Sequence, residues 1–277
     1  MTYRVALIQT RTPASQAAAL DHIAPLVREA AAQGAQLIAT PEGSNILQKD
    51  KAKLLPQLTL LAQDPVVVGL QALAAELGVW LLIGSALVKR EDGKAANRAA
   101  LVSPKGEIVS TYDKLHMFDV DLPTGETARE SETYEPGDRA VTADIGAARL
   151  GLTICYDVRF PALHRALALA GAQVITVPAA FTRPTGAAHW EILLRARAIE
   201  TGSFVLAPAQ GGFHEDGRGT YGHTIAIAPW GEVLGELAHD EPGVLVVDLD
   251  LAAVDKARAA IPALANARAF SPPEPLA

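Results

Sequence analysis

Apolar runs of strand length alternate with stretches of helical period along almost the whole of this chain. That alternation points to a layered α/β fold. Residues 3–9 read as a buried strand. Residues 15–33 form an Ala-rich helical stretch stopped by Gly34, in the manner of a C-terminal cap. A short strand at 37–40, a helix at 65–77 and a strand at 79–85 follow. Residues 98–102 and 107–112 flank Ser103-Pro104-Lys105-Gly106, a hairpin turn by composition. The second half repeats the habit, with strands at 150–154, 174–177, 204–209, 223–227, 232–237 and 243–248. Helices are expected at 161–170, 187–201 and 251–260. Two similar halves of mixed strands and helices imply two sheets packed face to face with helices outside.

No Pro/Gly/Ser linker interrupts the chain, so it reads as one domain over 1–277. A proline-rich tail begins at about 262 and ends in SPPEPLA, which its prolines keep from regular structure. With 49% hydrophobic and 20% charged residues the chain can bury a large core, and disorder is excluded for most of it. Asp and Glu outnumber Lys and Arg, 31 to 24, and no basic stripe occurs, so nucleic acid is not an expected partner. A single cysteine excludes an intramolecular disulfide and a cysteine-rich zinc site, and suits a reducing compartment. The apolar stretch at 77–88 has 12 residues, short of the roughly 20 that span a bilayer. The N-terminus lacks the pattern of a signal peptide. The expectation is a cytoplasmic protein that does not enter a membrane.

Three residues at predicted strand ends could do chemistry. Cys155 follows the apolar run 150–154 and precedes a proline-opened helix, a place where a thiol would be exposed near unpaired backbone N–H groups. Glu42 follows 37–41, and Lys114 follows the strand ending at Tyr112. Singly, each has a plainer reading: a core cysteine, an exposed loop glutamate, a solvated lysine. Together they are a nucleophile, a proton acceptor and a cation at one kind of sheet edge, the parts that acyl transfer requires. Other patterns fail. Gly217, Gly219 and Gly222 match G-x-G-x-x-G but lead into the strand-like HTIAIA, not a helix. No G-x-S-x-G elbow and no H-E-x-x-H occur, which disfavours a serine hydrolase and a metal site. A Cys–His pairing with His189 or His223 stays open. The stretches 114–137 and 211–222 show no regular pattern and are expected to carry substrate contacts.

TPEGSN around Glu42, YDKLHMFD around Lys114 and GLTICYDVRFP around Cys155 resemble the nitrilase, or carbon–nitrogen hydrolase, superfamily, over residues 3–261. The resemblance implies a four-layer α-β-β-α sandwich of two mixed sheets covered by outer helices. It also implies pairing of subunits into a homodimer or higher homo-oligomer, and a small-molecule amide as substrate. No cofactor and no metal are implied. Cys155 would attack the amide carbonyl, and Glu42 would take the thiol proton and later activate water. Lys114 would hold the tetrahedral intermediate. Ammonia would leave, and a thioester on Cys155 would be hydrolysed to the acid. Glu130, in the ARES stretch, would be the second glutamate of the family, with Glu126 and Glu132 as local competitors. The N–H of Tyr156 is the implied oxyanion donor. Arg159 would pair a substrate carboxylate, unless it is tied to Asp157 or Glu191 instead. Phe181 and Thr182 would line the same cleft.

CYDVRFP, KLHMFDVD and FTRPTGAAHWEILLRARAIE are similar to the Nit branch, which cleaves side-chain amides of small carboxylic acids. Ala209-Gln210-Gly211-Gly212 resembles branch members that act on deaminated glutathione, with Pro208 departing from their pattern. Omega-amidases acting on 2-oxoglutaramate or 2-oxosuccinamate tend to carry a serine-proline-alanine-arginine stretch there. N-carbamoyl amidohydrolases and nitrilases use the same scaffold, and an inactive scaffold with a buried thiol is the remaining alternative. Ala162 replaces a glutamate common in the branch. Gly43-Ser44-Asn45 also departs, at what would be the outer wall of the pocket.

Overall fold

Asp64, Pro65 and Gly78 delimit one helix by local chemistry alone. The Asp64 carboxylate accepts the N–H groups of Val66 and Val67, each at 3.0 Å, Pro65 pre-sets the first turn, and Gly78 ends the helix at φ +65°. The computed structural model describes residues 2–123, 125–271 and 273. Its first elements are β1 (Thr2–Gln9), α1 (Gln16–Ala32), β2 (Leu37–Ala39), α2 (Lys51–Leu54), α3 (Pro65–Leu77), β3 (Trp80–Lys89), β4 (Ala95–Val102) and β5 (Ile108–Asp113). Then come β6 (Asp119–Asp121), β7 (Thr127–Arg129), β8 (Val141–Asp144), β9 (Arg149–Leu152), α4 (Pro161–Leu169), β10 (Val174–Thr176) and α5 (Arg183–Thr201). The chain continues with β11 (Phe204–Ala207), β12 (Gly211–Phe213), β13 (Gly219–Tyr221), β14 (Ile225–Ile227), β15 (Val233–Glu236), β16 (Gly243–Asp250) and α6 (Ala252–Ala260).

Two six-stranded mixed sheets result, in the orders β16-β1-β2-β3-β4-β5 and β15-β14-β11-β10-β9-β8. Each has a parallel centre, β1-β2-β3 in one and β9-β10-β11 in the other, flanked by antiparallel strands. Strand alternation sorts the core. Val5 and Leu7 of β1 face inward to a cluster shared with Leu150, Leu152 and Ile175 of the second sheet. Ala6 and Ile8 face the other way, against Ile23 and Val27 of α1 and Val67 and Leu70 of α3. Leu163 of α4 and Trp190 and Leu194 of α5 belong to the first cluster and cover the second sheet. The four-layer sandwich expected from the sequence is therefore what the chain adopts. No helix among the described residues is long and apolar enough to cross a membrane.

Differences lie at boundaries and in loops. Strand β3 extends to Lys89, and α5 starts at Arg183, ahead of the expected 187. The stretches 114–137 and 211–222 are not structureless. They hold the ribbons β6–β7 and β12–β13 and a 3₁₀ turn at Glu130–Glu132. Those short strands are polar or glycine-rich, so no apolar alternation announces them. Beyond α6 the described residues carry neither helix nor strand, and of the expected irregular tail residues 272 and 274–277 lie outside the described ones.

Gly84 of β3 sets how closely the sheets approach at one end. A Cβ there would overlap the Thr40 carbonyl oxygen and the Cβ of Pro178. Thr40 follows β2, and Pro178 follows β10 in the opposite sheet. The two strand ends are thus brought together where the chemical residues project.

Candidate active site

Glu42 stands just beyond β2 on a loop that its neighbours lock. Ser44 Oγ donates within 2.7 Å of both Thr40 Oγ1 and the Pro41 carbonyl, and Gly43, at φ +66°, gives its N–H to Ser85 Oγ at 2.9 Å. Asn45 bridges β3 and α3, exchanging two hydrogen bonds with the Leu87 backbone and donating to Asp64 at 2.7 Å. Gly43-Ser44-Asn45 is fully buried framework, not the pocket's outer wall. Lys114 is the first residue past β5 and donates its N–H to the Asn97 carbonyl of β4 at 3.0 Å. Cys155 opens a 3₁₀ turn, Cys155–Arg159, after β9, with φ +49°, and its N–H reaches the Pro178 carbonyl at 2.8 Å. A non-glycine residue in that backbone region marks a strained elbow held by its surroundings.

These three side chains meet. Lys114 Nζ lies 2.9 Å from Glu42 Oε1 and 2.8 and 3.0 Å from the two oxygens of Glu130. The Cys155 thiol adjoins Glu42, whose Oε2 accepts the Ala180 N–H at 2.8 Å. Glu130 Oε2 further accepts the Phe118 N–H at 2.7 Å. All of this is nearly dry: Lys114 is 2% exposed, and Glu42 and Cys155 are each 7% exposed. The expectation of an exposed strand-end thiol is corrected here, because the Ala180 segment and the Glu42 loop close over it. Burial and the adjoining Glu42 carboxylate push the Cys155 thiol well above its ordinary value, with Lys114 opposing. Burial alone would raise Glu42, but Lys114, the thiol and Asn97 outweigh it and hold the carboxyl below its usual range. Lys114 loses hydration, yet Glu130 and Glu42 raise it far above the usual lysine value. The resting arrangement is a neutral thiol against a carboxylate, backed by an ammonium.

The other candidates take varied places. Glu126 and Glu132 are exposed, and Glu132 pairs with Lys51 at 2.6 Å, so Glu130 is the one that reaches Lys114. Tyr156, half-buried, is the second residue of the Cys155 turn, where N–H groups lack intrahelical partners. Arg159 is tied to neither proposed acid: Asp157 pairs with His116, and Glu191 with Arg195. Its guanidinium instead lies 5.9 and 5.4 Å from the Tyr156 and Phe181 rings, and 3.3 Å from His189 Nδ1. Phe181 is 6% exposed and packs on Trp190, while the Thr182 hydroxyl is engaged with Thr185 at 2.7 Å. Neither His189 nor His223 hydrogen-bonds Cys155 among the described residues, since His223 pairs with Glu236 at 2.7 Å. Among the described residues no three His, Cys, Asp or Glu side chains are grouped to share a metal ion.

Two site residues escaped the sequence reading. Asn97 of β4 donates to Glu42 Oε1 at 2.8 Å and to Glu130 Oε1 at 3.2 Å. Its signal was an uncharged polar residue, beside Arg98, in the otherwise apolar run AANRAALV. Asp157, wholly buried, accepts from the Ile154 N–H, the Tyr112 hydroxyl and both the N–H and the ring Nδ1 of His116, at 2.7–3.1 Å. It joins the Cys155 elbow to the Lys114 segment.

The profile of the carbon-nitrogen hydrolase family matches residues 4–259. Deaminated glutathione amidase of Yersinia enterocolitica is 41% identical over 241 residues, covering 86% of this chain and 84% of its own. The C. elegans NitFhit protein superposes with a TM-score of 0.89 at 31% identity, over 96% of this chain and 65% of that longer one. An amidase from Nesterenkonia sp. AN1 superposes with a TM-score of 0.79 at 30% identity, over 96% and 94% of the two chains. In that mutant structure the acetamide moiety of fluoroacetamide is covalently added at the active site cysteine.

Proposed function

The chain belongs to the carbon–nitrogen hydrolase family, and on that premise we propose that it is a thiol amidase acting on deaminated glutathione, with Cys155, Glu42, Lys114 and Glu130 as its chemical residues. One observation carries the reading: a neutral buried thiol beside a carboxylate that an ammonium holds in place. Glu42 takes the thiol proton as Sγ attacks the amide carbon, a concerted step that needs no preformed thiolate. Lys114 and the Tyr156 N–H receive the charge that develops on the carbonyl oxygen. The proton on Glu42 passes to the amide nitrogen, the C–N bond breaks, and an acyl thioester remains on Cys155. Water, deprotonated by Glu42, then adds to the thioester carbon, and the acid leaves as the thiol is restored.

The Yersinia relative's name supports the substrate. In deaminated glutathione the amide joins a 2-oxo acid to a dipeptide amine, so that amine departs where a primary amide would release ammonia. Arg159, which pairs with no acidic side chain among the described residues and is seated between two aromatic rings, is the group that meets the substrate's carboxylate, with Phe181 and Thr182 lining the cleft. The same reading makes the chain one cytoplasmic domain that works as a homo-oligomer through its outer helices. Exposed Leu169, Ile192, Ile199 and Trp230 on and beside α4 and α5 support such pairing.

The test is turnover of deaminated glutathione, 2-oxoglutaramate, an N-carbamoyl amino acid and a simple nitrile by the wild-type chain and Cys155→Ala. Deaminated glutathione is expected to be cleaved fastest, and the variant to be inactive with a trapped acyl group absent from its mass spectrum. Turnover by Cys155→Ala would end the thiol mechanism, and preference for another substrate would reassign the activity.

A further inference from the structure

We propose that Asn97 is a positioning residue that steers the thiol proton onto one oxygen of Glu42 by occupying the other with a fixed donor. The inference rests on Glu42 being the proton acceptor of the reaction just described. Glu42 Oε1 accepts from Lys114 Nζ at 2.9 Å and from Asn97 Nδ2 at 2.8 Å. Those two donors use both of its lone-pair directions. Among the described residues Oε2 accepts only the Ala180 N–H, at 2.8 Å. One direction on Oε2 is therefore left open to receive a proton, and the Cys155 thiol adjoins this carboxylate.

Asn97 is suited to this task by more than one contact. Its amide cannot turn over, because the reversed group would set a carbonyl oxygen against the carboxylates of Glu42 and Glu130, both of which it now serves. Its own Oδ1 is buried and meets no donor among the described residues. Such an oxygen is unfavourable in a core, so an asparagine retained only for packing would be poorly chosen. Its main-chain carbonyl also receives the Lys114 N–H at 3.0 Å. Asn97 thus holds the cation by its backbone and the two flanking acids by its side chain. The titratable groups facing Glu42 are Lys114, Cys155 and Glu130. Tyr134, kept protonated by burial, faces Glu130, Glu42 and Lys114, and the Arg218 cation acts on Tyr134.

The experiment follows two reactions against pH, alkylation of Cys155 by iodoacetamide and amide hydrolysis, for the wild-type chain, Asn97→Ala and Asn97→Asp. Removing a donor from ionised Glu42 raises its pKa. In Asn97→Ala the acid limb of both profiles is expected to move up by about one pH unit, roughly a tenfold loss of rate on that limb. Asn97→Asp supplies a donor only while its new carboxyl is protonated. It should run near wild type at the acid end and lose rate as pH rises, adding an alkaline limb that Asn97→Ala lacks. Profiles of wild-type shape in both variants, whatever their melting temperatures, would assign Asn97 to packing and overturn the proposal. Alkylation needs no amide, so it decides the role of Asn97 even if wild-type turnover fails and the amidase reading falls.

Discussion

Lys114 is almost completely withdrawn from water and still carries its proton, because carboxylates flank it on two sides. Removing one member of a buried ion cluster leaves charges uncompensated, which typically costs about 3–5 kcal/mol. Lys114→Met is therefore expected to lose activity and about that much stability in urea unfolding. A loss below about 1 kcal/mol would show that the cluster is better solvated than its burial implies. At this scale the convergence of Glu42, Lys114, Cys155 and Glu130 was legible in the sequence, since reactive residue types in family-like motifs announce themselves. Asn97 and Asp157 were not: apart from Ile154, the partners of their side chains lie 33 to 55 residues away along the chain, and only the finished fold brings them together. The thiol's burial was misjudged for the same reason, since what covers it comes from residue 180.

Elements with their own punctuation were the readable ones. Helix α3 has an aspartate cap, a leading proline and a terminal glycine, and its limits were read correctly at Pro65 and Leu77. Helix α5 has a proline near its start, but Gly186 and Thr185 in its first turns blurred the periodicity, so its beginning was placed too late. Strand β8 went unread because Val141–Asp144 is a short edge strand with only half-buried apolar positions. Gly84 shows how an element-level detail governs the site. Gly84→Ala should force β3 away from Thr40 and Pro178, moving the Glu42 loop relative to Cys155. Overpacking of this kind costs about 1–3 kcal/mol, and kcat is expected to fall more than the melting temperature suggests. Wild-type kcat in this variant would mean that the sheets yield without disturbing the loop.

For the whole molecule, the sandwich was legible because two halves repeat the same order of buried strands and amphipathic helices. Global stability should carry a pH signature of its own. His164 of α4 is fully buried, its Nε2 meets no partner among the described residues, and burial brings its pKa down to about 4. Unfolded histidine titrates near 6.5. The unfolded chain therefore binds more protons between those values, so the neutral imidazole's contribution is complete above about 6.5 and is lost as pH falls toward 4. His214 shifts in the same direction for the same cause. Urea unfolding of His164→Leu between pH 7 and 4 is expected to show a shallower decline than wild type, by about 3 kcal/mol over the range. Parallel declines would show that the imidazole is hydrated in the native state.

The strand that borders β1 along its full length, from Thr2 opposite Asp250 to Gln9 opposite Gly243, is β16. A ribosome delivers that partner only after the other fifteen strands of the described residues have emerged. Until then the nascent chain keeps one flank of β1 unzipped, a stretch of free amides and carbonyls open to pairing with a neighbour. Closure of that seam completes the first sheet and, with it, the support beneath the Glu42 loop.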